Sequence, residues 1–304
     1  MTTLRGASRV PPSRERQIDR KAVAKISRLE LRARQAVEGY YSGIHKSPYH
    51  GFNVEFAEFR EYSPGDDPRY IDWRVLARTD RFFIKQFEAE TNLSCYILLD
   101  TSGSMDFTTA RETRLDYGTG LAASLALLML HQGDQSGLVT FDSAVRAFIP
   151  PRGNARHFSA IIETLENLRP GADTNIAAVL HEIAERIRRR SMVIVISDFF
   201  DNVDALLNGL QHFRHRRHEV IVFHLLDDAE LEFPYDRVTL FEGIERGEEI
   251  VVDPRLMAES YRTRFRQFLE RLRKGCTEKN IDYERMQLSD PFDRALTAYL
   301  GRRR

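Results

Sequence analysis

A three-layer α/β fold with a mostly parallel central sheet is predicted by three features of this 304-residue sequence. Short, continuous apolar runs at residues 96–99, 192–196 and 220–226 have the character of strands buried on both faces. Helical patterns alternate with them, as they do when helices cover both sides of a parallel sheet. Several predicted strands run directly into residues bearing carboxylates and hydroxyls, and the carboxyl ends of parallel strands share one edge of a sheet.

The elements follow in order. Residues 1–17 are rich in Arg, Pro and Ser and read as an unstructured lead-in. Ile18, Val23, Ile26, Leu29 and Val37 recur at helical spacing, which predicts a solvated amphipathic helix over 18–37. Residues 1–39 thus form a basic arm, with ten Lys and Arg against three Asp and Glu in the first 36 positions. A β-rich block follows at 40–92. Phe52, Val54 and Phe56 alternate with polar residues, Pro64-Gly65 marks a tight turn, and Phe82, Ile84 and Phe87 suggest a second strand. The α/β region spans 93–230, and 231–304 complete it. Helices are predicted over 111–132, 154–168, 174–190 and 203–216. Strands are predicted at 138–141 and, as a short edge, 145–149. Residues 235–252 are more broken. A charged helix over 255–274 is expected to end at Gly275. A strand at 283–288 and a closing helix at 291–300 follow.

Composition narrows the function. Hydrophobic residues are 42% and charged residues 30%, a globular balance. Lys plus Arg equals Asp plus Glu at 45 each, so net charge gives no pull toward nucleic acid. Cys95 and Cys276 are too few and too far apart for a disulfide scaffold or a zinc site, and read as buried thiols. The most apolar stretch, residues 121–130, is shorter than the roughly 20 residues a membrane span needs. No signal peptide is visible, and the expected location is cytoplasmic.

Three segments carry chemistry: Asp100-Thr101-Ser102-Gly103-Ser104, Ala172-Asp173-Thr174-Asn175, and Ser197-Asp198. They offer carboxylates and hydroxyls, which suit a hard cation such as Mg²⁺, Mn²⁺ or Ca²⁺. No thiolate or imidazole is among them, which argues against zinc. In an extended loop alternate residues face the same way, so Asp100, Ser102 and Ser104 point to one place, with Gly103 allowing a tight bend. An octahedral ion takes six ligands. Five side chains leave one position for a carboxylate from another protein.

Asp100-x-Ser102-x-Ser104, Thr174 and Asp198 resemble the five side chains of the metal-ion-dependent adhesion site of von Willebrand factor A (VWA) domains, and residues 94–226 resemble that Rossmann-like domain throughout. A second resemblance covers nearly the whole chain. Glu55-Phe56, Glu58, Arg60, Tyr62, Pro64-Gly65-Asp66-Asp67, Arg69, Ile71-Asp72-Trp73, Ala77-Arg78, Lys85 and Glu90 are similar to the signature of the family called domain of unknown function fifty-eight. That resemblance implies a VWA-like domain behind the signature block and work alongside a MoxR-type AAA+ ATPase. Many members carry transmembrane helices near the N-terminus, where this chain has only its basic arm. Asp66, Asp67, Arg69, Asp72 and Trp73 are candidates for a partner-docking surface, since Trp and Arg dominate interface hot spots. The other reading of that block is a structural ion-pair network.

Other signals weigh less. Gly118-Thr119-Gly120-Leu121-Ala122-Ala123 matches a dinucleotide string but follows no strand, so it reads as close helix packing. His212, His215 and His218 read as a solvated helix end, and His131 and His224 as core or rim residues. No Gly-x-Ser-x-Gly elbow accompanies Ser102 or Ser104. The expectation is a non-enzymatic, metal-dependent protein-binding adaptor. The rival is a metal-assisted phosphohydrolase using Asp100, whose motif would need a second aspartate where Ser102 stands.

Overall fold

The computed structural model of the protein describes residues 27–45, 59–61, 78, 81–85, 93–110, 112–171, 175–242 and 249–302. Helix α1 (Arg28–His45) is followed by a small antiparallel pair, β1 (Phe59–Glu61) and β2 (Phe83–Lys85). The main sheet then begins with β3 (Ser94–Asp100), α2 (Arg114–His131), β4 (Gln135–Phe141), β5 (Val145–Arg152), α3 (Ala155–Glu166) and α4 (Ile176–Arg186). It continues with β6 (Met192–Ser197), α5 (Val203–His215), β7 (Glu219–Leu226) and the short α6 (Asp228–Glu232). A hairpin of β8 (Thr239–Glu242) and β9 (Glu249–Val252) precedes α7 (Pro254–Glu278), β10 (Asp282–Gln287) and α8 (Phe292–Arg302).

The six-stranded sheet has the order β10-β7-β6-β3-β4-β5. All neighbours are parallel except β5, which runs antiparallel to β4 at one edge. Pro150 and Pro151 explain that position, because a residue without an N–H is tolerated on an edge strand. Alternation along the central strands splits the core. Ile97, Leu99, Ile194 and Ile196 pack with α1, α2, α3 and α8. Leu98, Val193 and Val195 pack with α4, α5 and α7 on the other face. The expected three-layer α/β architecture with a mostly parallel central sheet is therefore present. From β3 the chain first extends the sheet toward β4 and β5, then returns to place β6 on the other side of β3. This reversal makes the β3/β6 boundary the topological switch point.

Most elements fall where their patterns put them, and four expectations change. The first helix begins by residue 28 and runs on to His45, with residues 18–26 outside the described residues. It is not a solvated arm, because Leu29, Ala33, Ala36, Val37 and Tyr40 are buried in the core. Gly275 does not end α7, which continues to Glu278. Its missing side chain serves packing: a Cβ there would stand 2.2 Å from Leu207 Cδ1. His218 is buried and its Nδ1 accepts from Ser191 N at 3.1 Å, so it is no solvated helix end. Finally, α6 went unforeseen. The strand expected at 52–56 and the turn at Pro64-Gly65 lie outside the described residues.

The glycine string does pack α2 closely. A Cβ on Gly118 would be 2.9 Å from Leu99 Cδ1, and one on Gly120 would be 2.9 Å from Phe292 Cε1. Fifteen of the 18 residues of α2 are buried, as expected for a helix enclosed on all sides. Cys95 and Cys276 are free and buried, and burial pushes both thiols up to about 12. Among the described residues no helix is long and apolar enough to cross a membrane.

One buried group makes stability depend on pH. His224 is fully enclosed on β7, its Nδ1 2.7 Å from the Tyr283 hydroxyl. Burial, joined by the charges of Arg114 and Arg285, outweighs the favourable Asp198 backbone and lowers its pKa to about 3. The unfolded chain takes up this proton near pH 6.5 and the native state refuses it, so stability falls as pH drops below about 6.5. His224→Leu removes that proton uptake. Urea unfolding should show the parent losing about 2 kcal/mol more than the variant between pH 7 and pH 5. Equal losses would mean that His224 titrates normally.

Candidate metal centre

Four aspartates stand at the carboxyl ends of four adjacent parallel strands: Asp100 on β3, Asp142 after β4, Asp198 after β6 and Asp227 after β7. All four are buried. Two of them have structural work. Asp142 accepts from Ala144 N at 3.0 Å and from Arg146 Nε at 2.7 Å, holding the β4–β5 turn. Asp227 caps α6 in a reciprocal box with Glu230, and it grips Thr109 through that residue's N–H and hydroxyl. Asp100 and Asp198 remain, one on each side of the switch point.

The loop after β3 is not extended as the spacing suggested. Past Ser102 the chain enters one turn of 3₁₀ helix, Gly103–Asp106, anchored by the buried Met105. The two serines still converge, their Oγ atoms 3.1 Å apart. Asp100 Oδ1 accepts from Ser102 N at 2.9 Å, and Asp100 Oδ2 from Ser197 Oγ at 2.6 Å. Ser102 is buried, while Ser104 is partly open to solvent.

Asp198 is positioned by strain and by charge. Phe199, the next residue, has φ of 53°, the left-handed region that a bulky side chain avoids at a cost of order 1 kcal/mol or more. Its N–H donates to Ser197 Oγ at 2.9 Å, which locks the turn. Arg114, in the first turn of α2 and 1% exposed, donates from Nη1 to Asp198 Oδ2 at 3.2 Å and to the Ser104 carbonyl at 2.7 Å. Its Nη2 pairs with Glu230. A cation at a helix N-terminus opposes the helix dipole, so these two carboxylates are what hold it there.

The electrostatics leave room for an ion. Burial first, and then the charge of Asp198, raise the Asp100 pKa to about 7 against the hydrogen bonds from Ser197 and Ser102. Burial also raises that of Glu230, although Arg114 opposes the shift. The buried Asp198 and the partly buried Glu230 thus share one guanidinium, with the buried Asp100 and two hydroxyls beside them. Among the described residues no cluster of three or more Asp, Glu, His or Cys side chains forms a metal cage. A cation here would draw on serine oxygens and water besides Asp100 and Asp198, a donor set fitted to magnesium or manganese.

Asp100, Ser102, Ser104 and Asp198 are brought to the same edge. Thr174 lies outside the described residues, as do Asp66, Asp67, Arg69, Asp72 and Trp73. Gly171 N donates to the Thr101 carbonyl at 2.6 Å, and Asn175 caps α4. Sequence reasoning missed Arg114 and Glu230, and it singled out Ser197 without its role as the hydroxyl that donates to Asp100. The available signal for Arg114 was a lone arginine opening an otherwise apolar helix.

The family model described as "Protein of unknown function DUF58" matches residues 58–275. Uncharacterized proteins of Mycobacterium tuberculosis and Mycobacterium bovis are each 30% identical over 245 residues, covering 78% of this chain and 76% of theirs. Among solved structures, the conserved hypothetical protein BatB of Bacteroides thetaiotaomicron aligns with a TM-score of 0.47 at 16% identity, covering 69% of this chain and 98% of that one. An aerotolerance-related membrane protein of Bacteroides fragilis gives 0.46 at 19%, covering 69% and 99%. The SpRpn10 VWA domain gives 0.38 at 11%, covering 68% and 94%.

Proposed function

The chain belongs to the DUF58 family, and on that premise we propose that it is a metal-ion-dependent protein-binding adaptor rather than an enzyme. One divalent cation, Mg²⁺ or the similar Mn²⁺ or Ca²⁺, is held by Asp100, Ser102, Ser104 and Asp198, with Thr174 as the fifth side chain. The observation that carries this reading is the meeting of two buried aspartates and two serine hydroxyls at the switch point. The hydroxyls add no charge, so the ion stays electron-poor and takes a carboxylate from a partner in its open position. Asp100 has both oxygens held by Ser102 N and Ser197 Oγ, the posture of an oriented ligand. The partner we infer is a MoxR-type AAA+ ATPase or a client presented to it in the cytoplasm, for complex assembly or remodelling.

Purified ATPase captured on the immobilised protein tests this. Capture in Mg²⁺ should fall at least tenfold in EDTA and in an Asp100→Ala variant. Capture indifferent to both would contradict the adaptor reading.

A further inference from the structure

Beside the candidate ion site lies an apolar cavity of about 420 Å³. Phe107, Phe200, Phe233, Phe241 and Tyr261 form much of its wall. Ser104 and Arg114 line it too, so cavity and ion site share two residues. On β9, Ile250 and Val252 face the cavity, while Val251 points outward and is 69% exposed. Leu256, at the start of α7, is 84% exposed, and Val238, Leu240 and Met257 are exposed nearby. Scattered apolar residues need no explanation, but an apolar patch that continues into a pocket marks an interaction site.

Resting on the ion-binding reading above, the geometry points to a joint site for an extended peptide segment of a partner protein. The peptide sets an Asp or Glu carboxylate on the ion and a bulky apolar side chain in the cavity. Composition argues for a bulky apolar side chain, since the wall is mostly aromatic and aliphatic. Charge argues for a peptide with basic flanks. The solvent-facing sequence neighbours of the cavity include Glu232, Asp236, Glu249 and Glu259. The nearby Arg237 and Arg255 pair with Asp236 and Asp253, and Arg262 Nε donates to the Glu232 carbonyl at 2.8 Å, so with Asp253 included five carboxylates stand against three guanidiniums and the rim is acidic on balance. Such a rim repels an anionic lipid surface and matches lysines placed beyond the anchoring pair. The β8–β9 hairpin supports an extended form. It is a two-stranded sheet in which each strand pairs only with the other among the described residues, so an outer edge is available for main-chain hydrogen bonds.

Arg114 links the halves. It holds Asp198 and the Ser104 carbonyl on the ion side, and it stacks on Phe107 at 5.0 Å and Phe200 at 5.6 Å on the cavity side. A ligand spanning both sides covers it.

The test uses the full chain and fluorescein-labelled blocked peptides. Each carries one Asp, a Phe after one to three glycines, and two Lys. Anisotropy is read in Mg²⁺ and in EDTA, with Asn-for-Asp and Ser-for-Phe controls. The best-spaced peptide should weaken at least tenfold with either control or with EDTA. Ile250→Asp and Met257→Asp change exposed side chains, so they should keep Mg²⁺ uptake by calorimetry while losing the Phe-dependent part of binding. Binding that needs Asp and Mg²⁺ but ignores Phe overturns the cavity's role and leaves the ion reading intact. Phe-dependent binding that ignores EDTA overturns the joint site, because the cavity then binds without the ion. Uptake of phosphatidylglycerol vesicles, lost in Ile250→Asp, identifies a lipid surface instead and overturns the peptide.

Discussion

Replacing Arg114 with alanine should lower the melting temperature by about 10 °C. Arg114 is 1% exposed and faces the fully enclosed Asp198 and the partly buried Glu230. Removing one partner from a buried ion pair leaves charge without compensation and costs about 3–5 kcal/mol. In a domain of this size each kcal/mol moves the midpoint by roughly 2–4 °C. Lysine at the same position should recover only part of the loss, because a point charge cannot reproduce the fork that spans Asp198, Glu230 and the Ser104 carbonyl. The variant also separates structure from ion binding. With the guanidinium gone, a cation is the nearest positive charge available to Asp198, so saturating Mg²⁺ should raise the alanine variant's midpoint by more than it raises the parent's. A midpoint within 2 °C of the parent would mean that Asp198 and Glu230 do not depend on Arg114.

Asp100→Ala should abolish Mg²⁺ uptake, measured as at least a hundredfold loss by calorimetry, and yet leave the fold standing. The aspartate is wholly buried and lies close enough to Asp198 for the two charges to oppose each other. Deleting it strands the donors Ser102 N–H and Ser197 Oγ, at about 1–3 kcal/mol each when buried. It also relieves the repulsion and desolvation that disfavour the ionised carboxyl, a compensation of about the same size. The metal-free variant should therefore melt within a few degrees of the metal-free parent, and added Mg²⁺ should stabilise the parent alone. An Asp100→Ala protein that still gains stability from Mg²⁺ would place the ion elsewhere.

Much of this was legible in the sequence because it rests on periodicity. The apolar runs that became β3, β6 and β7 are continuous, and each ends in or next to an aspartate. Order along the chain, together with the rule that parallel strand ends share an edge, is enough to bring Asp100 and Asp198 together. Long-range compensation was not legible. Arg114 lies 84 positions from Asp198 and 116 from Glu230, and nothing local marks the three as partners. The left-handed turn at Phe199 was equally hidden, since a buried phenylalanine is a poor signal for positive φ. Gly275 misled for a related reason. Glycine past a charged helix usually ends it, but here the constraint came from Leu207 on another helix. The aromatic cavity drew on segments separated by up to 157 residues, from Ser104 to Tyr261. The stretch over 235–252 had shown only as broken.

The central claim is that one divalent ion sits where β3 and β6 end. Crystals grown with excess Mn²⁺ and measured at the manganese absorption edge test it most directly. A single strong anomalous peak should stand about 2–2.5 Å from the hydroxyl oxygens of Ser102 and Ser104, with Asp100 and Asp198 reaching it directly or through water and Thr174 completing the side chains. A map with no peak beside the two serines, under conditions where manganese saturates the protein's calorimetric signal, would contradict the account.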